Sequence, residues 1–135
     1  MKTLVTIKTH FSAAHRLFRP DWSEERNLEV FGACANPNGH GHNYELQVSV
    51  EGAIDPETGM IVDMKDLKSL VNELIVDPLD HKHLNLDVPF LSGIIPTAEN
   101  LAVAFWEILE PRIPAGRLYE VRLQETERNI AVVSR

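Results

Sequence analysis

The sequence predicts an α+β protein: a four-stranded antiparallel sheet with two helices on one face, in the order ββααββ. Three observations carry that reading. Alternating apolar and polar residues mark extended segments near both ends of the chain and after residue 42. Apolar residues at helical spacing mark two segments between residues 63 and 110. Proline-rich stretches separate these periodic segments cleanly. With 135 residues, 44% hydrophobic and 24% charged, the chain suits a single domain (1–135) that buries a real core.

The first strand is expected over residues 2–12, where β-branched residues alternate with polar ones. Ala13-Ala14-His15-Arg16 follows. Residues 17–39 read as a long irregular loop broken by Pro20, Asn36 and Pro37, with at most a short helical turn at Ser23–Arg26. Long ordered loops in compact domains are usually functional. The second strand is expected from about Asn43 to Glu51, with Tyr44, Leu46, Val48 and Val50 on its apolar face. Asp55-Pro56-Glu57-Thr58-Gly59 has the residues of a turn, and Met60–Val62 reads as a brief extended piece. Asp63 caps a helix whose apolar stripe is Met64, Leu67, Leu70, Val71 and Leu74, ending near Asp77-Pro78. A second irregular stretch, 78–96, contains Asp80-His81. Thr97 caps the second helix, with Leu101, Ala104, Phe105, Ile108 and Leu109 inward and Glu99 in its first turn. Tyr119, Val121 and Leu123 give the buried face of the third strand, and residues 130–133 the fourth. Such a sheet has two open edges, and joining edges between subunits is one way to cover them.

Charge and composition exclude some functions. The formal net charge is −7, against the basic face that a non-specific nucleic-acid binder needs. A single cysteine cannot form an intramolecular disulfide, and no apolar run reaches the length of a membrane span. No nucleic-acid or membrane partner is therefore expected, and the cytoplasm is the expected compartment.

The chemistry gathers at Cys34–Tyr44, which holds the lone cysteine and two of the six histidines. His40 and His42 share the register of Tyr44, Leu46 and Val48, so a strand beginning early places both imidazoles on one face. With His15 they offer three nitrogen donors, the ligand count of a catalytic zinc with an open fourth position. His10, His81 and His83 are competing ligands. Cys34 is close enough in sequence to approach the same ion as a general base, a fourth ligand or simply a buried apolar residue. Asp80-His81 reads as either a proton-transfer pair or a turn-capping acid. Glu125 follows Tyr119, Val121 and Leu123 in register. It is thus an acid at the end of an apolar face unless the register breaks there, and a partner with two adjacent N–H groups would satisfy it.

The ordered set Phe11–His15, Cys34 with Asn36–Tyr44, Asp55-Pro56-x-Thr58-Gly59-Met60, Pro78–His81, Thr97-x-Glu99-Asn100 and Glu125-Thr126 resembles the 6-pyruvoyltetrahydropterin synthase family over nearly the whole chain. The resemblance implies a tunnelling fold, in which three subunits join their sheets into a barrel and two such trimers stack as a homohexamer. It implies a pterin triphosphate substrate, 7,8-dihydroneopterin triphosphate. It implies Zn2+ on His15, His40 and His42, which makes neighbouring substrate C–H groups more acidic. Cys34 is then the proton acceptor, and Asp80 and His81 assist, reaching in from a neighbouring subunit. Glu125 anchors the amino-pyrimidine edge, and Thr97 lies at the substrate side. Arg16 and Lys82 stand beside the implied site as candidate triphosphate contacts. Tetrahydrobiopterin biosynthesis is the implied setting. The alternatives are a 6-carboxytetrahydropterin synthase of queuosine biosynthesis, whose bacterial members usually have a shorter cysteine-to-histidine spacing, and a non-enzymatic zinc-binding protein. A third branch of the family, with glutamate at the cysteine position, is disfavoured by Cys34.

Overall fold

The computed structural model describes all residues, 1–135. Two long strands, β1 (Leu4–His15) and β2 (His40–Glu51), run antiparallel and in register from Leu4 opposite Glu51 to His15 opposite His40. β4 (Arg117–Thr126) pairs with β2, and β5 (Asn129–Ser134) with β4, both antiparallel. The expected four-stranded sheet is therefore present with one addition. A two-residue strand, β3 (Lys82–His83), lies parallel to β1 at Ala13 and Ala14, giving the order β3-β1-β2-β4-β5. Residues 60–62 form no ladder, although Ile61 and Val62 are buried.

The loop after β1 is more ordered than its composition suggests. Glu24–Phe31 forms helix α1, capped by the Ser23 hydroxyl on the Arg26 N–H, and Gly32–Ala35 continues as a 3-10 turn. Asn27 is the buried residue of α1. Its amide takes the Arg19 N–H and donates to the carbonyls of Arg19 and Ser23, which replaces the apolar residue a short helix would otherwise need.

Helix α2 (Met64–Val71) begins at its Asp63 cap, and the helical run ends at Leu79, next to Pro78, both as the sequence suggests, but it is not regular throughout. It widens into a π turn at Asn72–Val76 and closes with α3 (Asp77–Leu79). The fully buried residues become Leu67, Val71, Ile75 and Leu79, a step of four. An α-helix rotates such a stripe by about 40° per step, and a wider turn returns it towards the sheet. Helix α4 (Ala98–Leu109) lies against β4 and β5, with Leu101, Phe105 and Leu109 fully buried and the Phe105 ring edge-on to Phe11 of β1.

The core lies between these helices and one face of the sheet. Ile7, Phe11, Tyr44, Leu46, Val48, Val121 and Leu123 supply the sheet side. One expectation changes in β4. A bulge between Ser49 and Val50 pairs Val50 with Leu118 and Ser49 with Glu120, so Tyr119 has no partner and Leu118 takes the buried place expected for Tyr119. The core stops at the His15–His40 end of the sheet, where the buried side chains become polar.

Candidate metal centre and active site

The β1–β2 register builds the site. His15 and His40 pair directly, and Ala13 pairs with His42, so the two strands end as three imidazoles on the face that buries Phe11 and Tyr44. The strands reach further than alternation alone indicates, to His15 rather than residue 12 and back to His40 rather than Asn43. One ring nitrogen from each of His15, His40 and His42 lies within 4.8 Å of the others, and His15 Nε2 stands 3.0 Å from His40 Nε2. Gly39 makes this approach possible. Its φ is +72°, and a Cβ there would lie 2.7 Å from the His15 carbonyl oxygen.

Hydrogen bonding sets the tautomers. His15 Nδ1–H donates to the Pro96 carbonyl at 2.8 Å, and the Tyr44 hydroxyl lies 3.3 Å from the same nitrogen. A carbonyl can only accept, so the Nε2 of neutral His15 keeps its lone pair and turns it towards His40 Nε2. Stacking fixes the Tyr44 ring on Phe11, with centroids 4.8 Å apart. His15 is fully buried, and its pKa falls to about 4. Burial is the main cause. The Pro96 carbonyl opposes it, and the neighbouring His40, His42 and His83 add to it. Burial also lowers the pKa of His42, against the opposing charge of Glu125. Both rings are thus held in the neutral form that can ligate a metal.

His42 Nε2 is buried and has no hydrogen-bond partner. An orphaned lone pair beside two other imidazole nitrogens fits a cation, and three neutral donors suit zinc or a similar borderline ion. Of the competing histidines, none joins this cluster.

Glu125 approaches from β4, with Oε1 3.6 Å from His42 Nε2 and its side chain 18% exposed. The register does break there, because Gln124 pairs with Ile130 and Thr126 with Asn129. The bulge turns Glu125 inward instead of releasing it to solvent. Beside it, Leu17, Thr97, Ala98, Glu99 and Arg128 line a cleft of about 590 Å3. The Thr97 hydroxyl is engaged as the α4 cap on the Asn100 N–H at 3.2 Å.

Cys34 sits half-buried in the 3-10 turn and outside the three-nitrogen cluster. Asp80 and His81 bond to each other despite being adjacent, with Oδ2 to Nδ1 at 3.0 Å. The backbone makes this possible: His81 has φ +60°, the one non-glycine residue with positive φ. The Ser12 N–H donates to Asp80 Oδ1 and the His81 N–H to the Ser12 carbonyl, so the turn is pinned to β1. The Ser12 N–H, followed by His81, holds the Asp80 pKa below the usual carboxylate value. Arg16 is less free than a triphosphate contact should be. Its Nε donates to the Ala35 carbonyl, and its guanidinium lies 3.9 Å over the Phe18 ring.

No residue type in the sequence points to the Pro96 carbonyl as the partner of His15. Tyr44 carried one, since a tyrosine on a buried face needs a partner for its hydroxyl.

Residues 4–135 match the family model described as 6-pyruvoyl tetrahydropterin synthase. The human protein named 6-pyruvoyl tetrahydrobiopterin synthase is 49% identical over 128 residues, which are 95% of this chain and 88% of that protein. An Archaeoglobus fulgidus protein named putative 6-carboxy-5,6,7,8-tetrahydropterin synthase is 34% identical over 133 residues, 98% of this chain and 96% of its own. The solved structure of Caenorhabditis elegans 6-pyruvoyl tetrahydropterin synthase superposes with a TM-score of 0.93 at 38% identity, covering 100% of this chain and 96% of that one.

Proposed function

The chain belongs to the 6-pyruvoyl tetrahydropterin synthase family, and from that premise we propose that it is a zinc-dependent lyase converting 7,8-dihydroneopterin triphosphate to 6-pyruvoyltetrahydropterin and triphosphate. The observation that carries the reading is the cluster of buried His15 with half-buried His40 and His42, with its orphaned Nε2, beside an inward-turned Glu125. His15, His40 and His42 would hold the ion; when bound, zinc supplies a Lewis acid that makes substrate C–H groups next to an oxygen more acidic.

The remaining roles fall to the chain's own groups. The Glu125 carboxylate accepts two adjacent N–H groups of the pterin's amino-pyrimidine edge, a charge-assisted bidentate pair. Cys34, as thiolate, accepts a proton from the substrate side chain. The Asp80 carboxylate orients His81 through Nδ1 and leaves Nε2 to pass a proton. Thr97 shapes the cleft as the α4 cap. The reaction moves protons within the substrate and expels triphosphate, so it needs no external oxidant or reductant.

One domain, 1–135, would carry this chemistry, with active sites completed by neighbouring subunits in a homohexamer. Two features support assembly through the sheet. The outer edge of β1 is paired only at Ala13 and Ala14, and edge strand β5 exposes Ile130 and Val132. The cytoplasm is the compartment this reading assigns, and no helix is long and apolar enough to cross a membrane.

The 34% identity to the Archaeoglobus protein keeps a 6-carboxytetrahydropterin synthase as the second reading. Mass analysis of the products from zinc-loaded protein and 7,8-dihydroneopterin triphosphate, without oxygen, separates the two. A 6-pyruvoyl product is expected. A 6-carboxy product with acetaldehyde moves the chain to the second reading, and absence of turnover with zinc bound refutes both.

A further inference from the structure

A chain of hydrogen bonds outside the metal cluster ties the Cys34 turn to the segment that follows His15. The side-chain amide of Asn85 grips both backbone polar groups of Arg16: Oδ1 accepts the Arg16 N–H at 2.8 Å, and Nδ2 donates to the Arg16 carbonyl at 2.9 Å. This extends the β1–β3 pairing by one side chain, since the Leu84 N–H has already donated to the Ala14 carbonyl. Arg16, so held, donates through Nε to the Ala35 carbonyl at 2.9 Å, and the next residue's N–H, from Leu17, donates to the Cys34 carbonyl at 2.8 Å. The two carbonyls that flank the Cys34–Ala35 junction are therefore both fixed from one short segment, and Asn85 fixes that segment.

We infer that Asn85 is a positioning residue for Cys34, acting through Arg16, and that the pair sets the place of the thiol relative to the three histidines. The inference rests on the proposed role of Cys34 as proton acceptor. The Asn85 side chain hydrogen-bonds neither to His15, His40 or His42 nor to Cys34, so its effect is transmitted through the Arg16 backbone. The amide is needed as an amide. Aspartate keeps the acceptor but faces the Arg16 carbonyl with a second oxygen, and alanine loses both bonds. The third partner is specific too: Arg16→Lys keeps the charge and loses the Nε–H that meets Ala35.

The test compares zinc-loaded wild type, Asn85→Ala, Arg16→Lys and the double variant by three readouts: zinc per chain, kcat and KM, and the rate at which iodoacetamide alkylates Cys34, the only cysteine. In Asn85→Ala zinc content stays at the wild-type value, KM stays within about twofold and kcat falls about 10-fold, the response to a misplaced group rather than a lost binding contact. Alkylation becomes about threefold faster, because a released turn exposes its thiol more often. Arg16→Lys behaves alike, and the double variant is no worse than the poorer single one, because both act on one tie. Wild-type kcat and alkylation in Asn85→Ala overturn the inference, as do additive losses in the double variant or loss of zinc in step with kcat. If Asn85→Ala does not fold, Arg16→Lys decides by the same readouts. Failure of wild type to turn over defeats the proposed function, whereas alkylation still decides the tie.

Discussion

The molecule holds two imidazole–carboxylate pairs that look alike on paper and differ in every physical respect. His42 and Glu125 approach to 3.6 Å with side chains 17% and 18% exposed. Asp80 and His81 approach to 3.0 Å but are 40% and 82% exposed. The longer contact is the more consequential one. In the more enclosed pair His42 Nε2 is shut off from water and has no hydrogen-bond partner, so that atom suits a ligand. In the exposed pair solvent screens the charges, and the contact adds little stability. It instead orients a ring that solvent can reach, from a left-handed backbone that costs stability. Enclosure makes the first pair's surroundings suited to a cation, and exposure leaves the second pair's ring open to exchange with solvent.

Removing one member of the histidine cluster should have the largest effect. His42→Ala should weaken zinc binding by at least about 100-fold, beyond what loss of a supporting contact costs, measured by chelator competition. Cys34→Ala sharpens the separation between holding and reacting: zinc should stay, while kcat falls by about 100-fold or more. If zinc leaves with the thiol, Cys34 is a ligand instead. Glu125→Gln should raise the KM for the pterin by about 10-fold, the cost of replacing a charged acceptor, with zinc affinity unchanged. An unaltered KM removes its anchoring role.

Acid should distinguish the two regions in the zinc-free protein. His15 titrates near 4 in the fold and near 6.5 when unfolded, so the unfolded chain binds more protons between those values. Stability contributed by keeping His15 neutral is complete above pH 6.5 and is lost as the pH falls towards 4, by about 3 kcal/mol in all. Denaturant titrations of wild type and His15→Gln across that range check this, since the glutamine variant should lack that part of the slope. The smallest effect belongs to the exposed turn. His81→Gly should raise stability by about 0.5–1 kcal/mol by relieving the left-handed backbone, even as it removes the proton-transfer ring. A loss of stability would show that the Asp80 contact outweighs the strain.

Much of this contrast was legible in the sequence, and the illegible parts share a cause. The shared register of His40, His42, Tyr44, Leu46 and Val48 is local, and alternation along one strand reveals it. That His15 meets His40 depends on pairing between strands, which alternation within either strand does not specify. β1 runs on to His15 through Ala13 and Ala14, residues of little strand preference, because β2 and β3 pair with it on both sides. The bulge at Glu125 and the displaced Tyr119 are likewise products of pairing, as both residues sit where one strand has a residue more than its partner. Adjacency alone does not bring Asp80 and His81 side chains together; the left-handed torsion at His81 permits the contact. Asn85 and the Pro96 carbonyl act over long sequence distances through backbone atoms, which leave no mark on residue type.

The most direct test of the division between the two regions is zinc affinity measured side by side in His42→Ala and His81→Ala, full length and under one chelator. His42→Ala should lose zinc affinity, and His81→Ala should bind zinc as wild type does. Equal losses in the two variants, or a loss in His81→Ala alone, would contradict that division and place the cation away from the three histidines.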